Sequence, residues 1–194
     1  MKFGRLANRS SLIALVLISV CSWRTLAQDH SHTDQLTDEQ KRQQGALIKI
    51  VQDATERFKN VKEAEYEGYH LQFGCVTGPD NGAMGLHYVN MDLVGQGKIN
   101  PYYPQIIIYE PTPNGPKLIG ADYLVMAEQW DNDHPKDPPQ LMGQLFHYFE
   151  FPNRFKLPAF YTLHVWAWKD NPNGAFVNWH PNVDCQSFVG KTTK

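Results

Sequence analysis

The sequence lacks an excess of positive charge, any internal repeat and any low-complexity tract. Its 18 Lys and Arg residues stand against 20 Asp and Glu, which gives a formal net charge of −2. The basic residues form no stripe, and nucleic-acid affinity comes largely from Lys and Arg contacts with phosphates, so a nucleic-acid partner is disfavoured. No stretch after residue 27 is long and apolar enough to cross a membrane, so no integral membrane segment is predicted there.

Local catalytic motifs are also missing. The chain has no G-x-S-x-G nucleophile elbow, which gives nucleophilic catalysis little support. Residues 95–97 do not make a dinucleotide fingerprint, because Asn100 stands where the third glycine belongs and the strand-to-helix context is absent. The sequence therefore predicts no nucleotide cofactor.

Residues 1–27 have the pattern of a secretory signal peptide. A basic start precedes an apolar core over residues 12–20, and a small-residue cleavage site ends at Ala27. We therefore expect an exported protein, periplasmic or extracellular. A lipoprotein signal ending at Cys21 is the alternative, which Val20 disfavours because a small residue is required at its position.

Cleavage after Ala27 would leave two of the three cysteines, Cys75 and Cys185. An even pair in an oxidising compartment is most simply a disulfide, and a reactive thiol is the minor alternative. Cleavage would also remove basic residues and no acidic ones, so the mature chain is more acidic than the precursor.

The next stretch has helical character. After a polar lead-in over residues 28–36, Thr37 and Gln40 have capping-box spacing, and apolar residues follow at helical intervals. The pattern predicts a helix from Asp38 to Phe58 and a shorter helix over residues 61–67.

From Tyr69 onwards, aromatic and β-branched runs alternate with turns rich in Gly, Pro, Asn and Asp. Six strands are predicted, over residues 69–76, 85–90, 105–109, 118–126, 144–149 and 160–168. The expected fold class is α+β: a mainly antiparallel sheet or small open barrel with the N-terminal helix packed on it and one disulfide, in a single domain over residues 37–194.

The candidate ligands are three histidines that lie inside predicted strands: His87, His147 and His164. Strand alternation places His164 on the same face as Trp166 and Trp168. Three neutral imidazoles brought together would bind one zinc or other transition-metal ion, such as copper or iron, and leave a position open for water or substrate. The alternative is that each histidine is an ordinary buried residue, because this spacing lacks the specificity of a local motif such as H-E-x-x-H.

Other side chains could complete a catalytic site around these histidines. Glu110, Asp122 or Glu128 could add a carboxylate. In a site without a metal, His147 or His164 would act as general base, and Tyr88 or Asp122 would orient it. If the protein is an enzyme, the predicted reaction class is metal-assisted hydrolysis or metal-dependent oxidation of a small molecule.

The aromatic residues permit a different function. Trp166 and Trp168, with Tyr161, Phe176 and Trp179, could line a pocket for a sugar, an aromatic compound or a lipid, or they could simply fill the core. The second hypothesis is therefore a non-catalytic periplasmic binding module. A third is a structural or envelope stress protein without a small ligand.

Several short segments together resemble a family of uncharacterised exported bacterial proteins. The resemblance covers most of the chain after the signal and lies in residues 64–69, 82–90, 141–147, 163–168, 171–174, 179 and 185. It implies that His87, His147, His164, Cys75 and Cys185 belong to the family pattern, whereas His180 stands where that pattern has asparagine. It implies no substrate or reaction.

Overall fold

A long helix with a capping box begins the described part of the chain. The computed structural model describes Met1 and residues 36–78 and 80–194, so the predicted signal peptide beyond Met1 and most of the predicted lead-in lie outside the described residues. Helix α1 spans Asp38–Thr55. The Thr37 hydroxyl accepts a hydrogen bond from the Gln40 backbone N–H, and the Gln40 side chain accepts one from the Thr37 N–H, as the capping-box spacing predicted.

Shorter helices follow. A 3-10 turn over Glu56–Lys59 continues α1, so the predicted end at Phe58 falls inside this turn. Helix α2 spans Val61–Tyr66, with the Asn60 side chain capping it. Helices α3 (Met91–Gly95) and α4 (Ala127–Asp133) were not predicted, because five to seven residues are too few to show a helical period.

The strands form one large sheet and one small hairpin. The sheet contains β1 (His70–Gly78), β2 (Gly82–Val89), β3 (Ile106–Thr112), β4 (Gly115–Met126), β7 (His147–Phe149), β8 (Phe160–Val165) and β9 (Thr192–Thr193). The hairpin pairs β5 (Gln140–Leu141) with β6 (Gln144–Leu145). The large sheet has the order β7-β8-β4-β3-β2-β1-β9 and curls into a mostly antiparallel half-barrel. The predicted α+β class is confirmed.

Two predicted strands are shorter or divided in the structure. The strand predicted over residues 144–149 is interrupted at Phe146, whose N–H donates to the Pro139 carbonyl instead of continuing the ladder. The strand predicted over residues 160–168 ends at Val165, because the Trp166 N–H donates to the Ala175 carbonyl. Alternation of side chains therefore cannot be extended past Val165.

Each face of the sheet carries its own apolar core. The first core packs the N-terminal helices onto the sheet, and it includes Leu47, Val51 and Phe58 from the helical segments together with Ile107 and Tyr123 from the strands. The second core covers the opposite face and is built from residues such as Ile106, Ile108, Leu124, Phe160 and Trp166. Among the described residues, no helix combines the length and the apolar character needed to cross a membrane.

The predicted disulfide is confirmed. Cys75 in β1 is bonded to Cys185, 110 residues further along the chain, and the two Cα atoms are 5.9 Å apart. After Cys185 the chain returns to β1, where β9 pairs in parallel with it, Thr192 opposite Cys75. The disulfide and β9 together hold the C-terminal segment against the edge of the sheet.

Gly85 in β2 occupies a position that only glycine fits well. Its φ of +89° is in the left-handed region, and a Cβ added there would lie 2.5 Å from the Tyr109 carbonyl oxygen. We expect Gly85→Ala to lower the free energy of unfolding by about 2 kcal/mol or more, measured by urea denaturation. Gly115→Ala is the matched control, because Gly115 has a φ of +105° but open space around it. Equal losses in the two variants would show that the close contact at Gly85 contributes nothing.

Candidate metal centre

Three strands of the large sheet bring a histidine pair and a carboxylate to its second face. His87 lies in β2, Asp122 in β4 and His164 in β8. Asp122 is directly opposite His164 in the β4–β8 ladder and opposite Ile106 in the β3–β4 ladder. Directly opposite residues of antiparallel strands project to the same face, so the register places these side chains together.

The three side chains form a tight, buried group. Each offers one potential ligand atom, and these atoms lie within 4.8 Å of one another. The Nε2 atoms of His87 and His164 are 3.4 Å apart. The residues are only 4%, 2% and 2% exposed for His87, Asp122 and His164. The group is therefore shielded from bulk water while its nitrogen and oxygen atoms converge.

The surroundings of His87 indicate which of its ring nitrogens carries the proton. The Nδ1 atom of His87 is 3.3 Å from the Gly85 carbonyl oxygen, which can only accept, so we assign the proton to Nδ1. The Nδ1 atom of His164 is buried without a hydrogen-bond partner among the described residues, and Oδ1 of Asp122 lies 3.7 Å from it. The Nε2 lone pair of His87 therefore faces Nε2 of His164 across 3.4 Å, where it can accept a hydrogen bond from that atom or bind a cation together with it.

Asp122 is held in place by neighbouring donors. The Thr162 hydroxyl donates to Oδ1 of Asp122 at 2.5 Å, and the Leu163 backbone N–H is a further donor to this carboxylate. Burial raises the pKa of Asp122 to about 6, while the hydrogen bond from Thr162 and the neighbouring His87 imidazole act in the opposite direction. At neutral pH the carboxylate is thus ionised and carries the negative charge that a metal site needs.

Both imidazoles of the group are neutral at neutral pH. Burial lowers the pKa of His87 to about 4, with a further contribution from the neighbouring His164 imidazole. Burial also lowers the pKa of His164 to about 3, with a further contribution from His147, while Asn178 beside the ring acts in the opposite direction. A neutral imidazole is the form that binds a metal ion.

His147, the third histidine predicted as a ligand, is not in this group. It lies in the edge strand β7 opposite Thr162, on the same face of the sheet, but it is exposed. Its Nε2 atom is 3.3 Å from the Phe176 carbonyl oxygen. It is near enough to affect the pKa values of Asp122 and His164, and it stands at the rim of the site.

Two residues that were predicted to assist catalysis lie outside the buried group. Tyr88 belongs to the core on the helix side of the sheet, where its ring is 5.0 Å from that of Tyr109. Glu110 accepts a hydrogen bond from the Lys169 ammonium at 2.7 Å. Neither side chain belongs to the buried group, whereas Asp122, predicted as an orienting or acidic partner, does.

The two predicted ligand-binding tryptophans lie on different faces of the sheet. The Trp166 ring stacks near His164 at 5.8 Å, and its indole N–H donates to the Val177 carbonyl. Trp168 instead packs on the helix side, where its indole N–H donates to the Thr55 hydroxyl at 3.0 Å. The expectation that Trp168 shares a face with His164 is corrected, because β8 ends at Val165 and strand alternation stops there.

A pocket adjoins the buried group. His87, Asp122, Thr162 and His164 line one side, and the remaining wall is apolar, with Phe73, Phe155, Leu157 and Phe160 among its residues. This apolar wall was not predicted from the sequence, because Phe73 comes from β1 and Phe155 from a loop that follows β7.

Comparisons with protein-family models, curated proteins and solved structures find no match for this chain.

Proposed function

We propose that this protein binds one divalent transition-metal ion through His87, Asp122 and His164 and acts on a small molecule at that ion. The observation that carries the proposal is the 3.4 Å separation of two buried Nε2 atoms. Two imidazoles on a tetrahedral ion with metal–nitrogen bonds of about 2.0–2.1 Å have nitrogen atoms about 3.3 Å apart, so the pair already has the spacing of two ligands.

The donor set supports a metal centre with catalytic capacity. Two histidines and one carboxylate suit zinc, iron and related ions and leave coordination positions open for water or substrate. When bound, such an ion can activate water for hydrolysis or support oxidation. Thr162 orients the carboxylate through its hydroxyl, and the Gly85 carbonyl orients His87 through Nδ1. These outer contacts fix the ligand atoms before an ion arrives.

The proposed location of the protein is the periplasm or the extracellular space. The Cys75–Cys185 disulfide supports this proposal, because disulfides persist mainly in oxidising compartments. The resemblance to a family of exported bacterial proteins agrees with it and remains part of the proposal.

Metal analysis of the untagged protein tests the proposed centre. We expect about one equivalent of zinc, iron or another first-row ion in the wild-type protein, and loss of that equivalent in His87→Ala and His164→Ala, because each variant removes one of two nitrogen ligands. Asp122→Asn keeps the size of the side chain and should bind cobalt(II) at least 10-fold more weakly, read from its visible absorption.

Two other histidines serve as controls. His70→Ala removes an exposed histidine outside the group, so this variant should still bind one equivalent of metal ion. His147→Ala should also bind one equivalent of metal ion, because His147 is exposed and its Nε2 atom faces a backbone carbonyl. A folded wild-type protein that takes up no zinc, cobalt or iron would overturn the proposal, and the contact between the Nε2 atoms would then be an ordinary imidazole–imidazole hydrogen bond.

A further inference from the structure

The pocket beside the buried group has an unusual composition for a site that would receive a polar substrate. Its wall away from the ligands contains aromatic and aliphatic side chains, and none of the lysine and arginine residues that the structure describes lines it. Among the described residues of its lining, Asp122 is the one ionised side chain, and it belongs to the proposed centre. An anionic ligand would therefore lose its hydration shell without gaining a cationic partner from the protein, which is costly in an apolar site.

The pocket is also small. Its cavity volume is about 20 Å³, and it is partly open to solvent. One water molecule needs a volume of about 10 to 15 Å³. The pocket thus has room for one or two very small molecules and no room for a sugar or an aromatic ring.

Phe73 and Phe155 close the apolar side of this pocket. Their rings meet edge to face with centroids 5.2 Å apart, and Phe155 is 6.0 Å from Phe160 deeper in the wall. Phe73 has a φ of +64°, which is rare for a residue with a bulky side chain, and it lies where the β1–β2 register shifts between Gln72 and Cys75. The irregular backbone of β1 is what directs this ring to the pocket instead of into a regular ladder.

We propose that this pocket delivers a neutral, apolar diatomic molecule, of the class of dioxygen or nitric oxide, to the metal centre. The ligand class rests on the proposed function, while the affinity of the pocket for small apolar species does not. Apolar walls without cationic side chains select against anions, and the volume selects against larger substrates. Because His87, Asp122 and His164 all line the same pocket, a molecule that enters it lies beside the side chains that would hold the ion.

Xenon tests the pocket without reference to any metal. Xenon binds dry apolar cavities, so crystals pressurised with xenon are expected to show one atom against Phe73, Phe155 and Phe160, in metal-loaded and in chelator-treated protein alike. Leu157→Trp places a large ring in the pocket and should reduce the xenon occupancy at least 5-fold. Leu145→Trp is the matched control at an exposed position, and it should leave the occupancy unchanged. A wild-type pocket that holds ordered water and no xenon would overturn the inference.

Nitric oxide and azide test the ligand class at the centre. Protein loaded with iron(II) without oxygen is expected to bind nitric oxide at least 10-fold more tightly than azide, measured by electron paramagnetic resonance and visible absorption. Equal affinities would contradict selection for a neutral ligand. If the protein binds no iron, the proposed function fails while the xenon result still reports on the pocket. If it binds iron but neither xenon nor nitric oxide, the metal centre stands and this inference fails.

Discussion

Replacement of Cys75 and Cys185 together by alanine is expected to lower the free energy of unfolding by about 4 to 5 kcal/mol. The disulfide closes a loop with a sequence separation of 110 residues, and opening a loop of that size restores much conformational entropy to the unfolded chain. Alanine is preferable to serine, because Cys75 is fully buried and a serine hydroxyl there would need a new hydrogen-bond partner.

Urea denaturation of the double variant and of wild-type protein with and without dithiothreitol provides the measurement. The reduced wild type should approach the stability of the double variant, since both lack the covalent link. The free energy of unfolding should also fall more steeply with urea concentration, because an unfolded chain without the disulfide exposes more surface. A loss below about 1 kcal/mol would show that β9 and the packing around it hold the C-terminal segment without the disulfide.

Acid should destabilise the metal-free protein between about pH 6.5 and pH 4. The folded-state pKa values of His87 and His164 are lowered to about 4 and about 3, whereas histidine in an unfolded chain has a pKa of about 6.5. The unfolded state therefore binds protons in this range that the folded state does not, and stability falls as the pH falls. Asp122 acts in the opposite direction, because its raised pKa of about 6 lets the folded state take up a proton first.

The net effect of the three groups is a loss of stability at acidic pH, because the two histidines act against the single carboxylate. With about one extra proton bound by the unfolded chain, the expected loss is on the order of 3 kcal/mol between pH 6.5 and pH 4. Chemical denaturation of chelator-treated protein at several pH values measures it. His87→Gln should flatten the profile, whereas His70→Gln, at an exposed position, should leave it unchanged. A profile of the same steepness in His87→Gln would contradict the assignment to the buried pair.

The fold could be predicted from the sequence wherever one local pattern dominated. The capping box and apolar period of α1 fixed its start, and β-branched and aromatic runs located the main strands. The short helices α3 and α4 carried too little periodic signal. The division at Phe146 and the end of β8 at Val165 depend on hydrogen bonds to Pro139 and Ala175, which are tertiary contacts that no local pattern encodes.

The candidate site was partly accessible from the sequence for a similar reason. His87 and His164 were predicted as ligands and Asp122 as an acidic partner, because each lies within a predicted strand. That these three converge depends on the strand order, which places β4 between β3 and β8. The exposure of His147 depends on β7 being the edge strand. The apolar pocket depends on a loop crossing over the sheet, which the sequence did not indicate.

The strand order also determines when the site can assemble during folding. His87 and His164 are 77 residues apart in the chain, and β8 pairs with β4 only when the segment between them, which carries the hairpin and β7, closes as a long loop. Pairings between distant segments form slowly, because a long loop must close before they gain any contact energy. Metal uptake is therefore expected to follow the pairing of β8 with β4, so that the appearance of cobalt absorption in a refolding experiment would time this pairing.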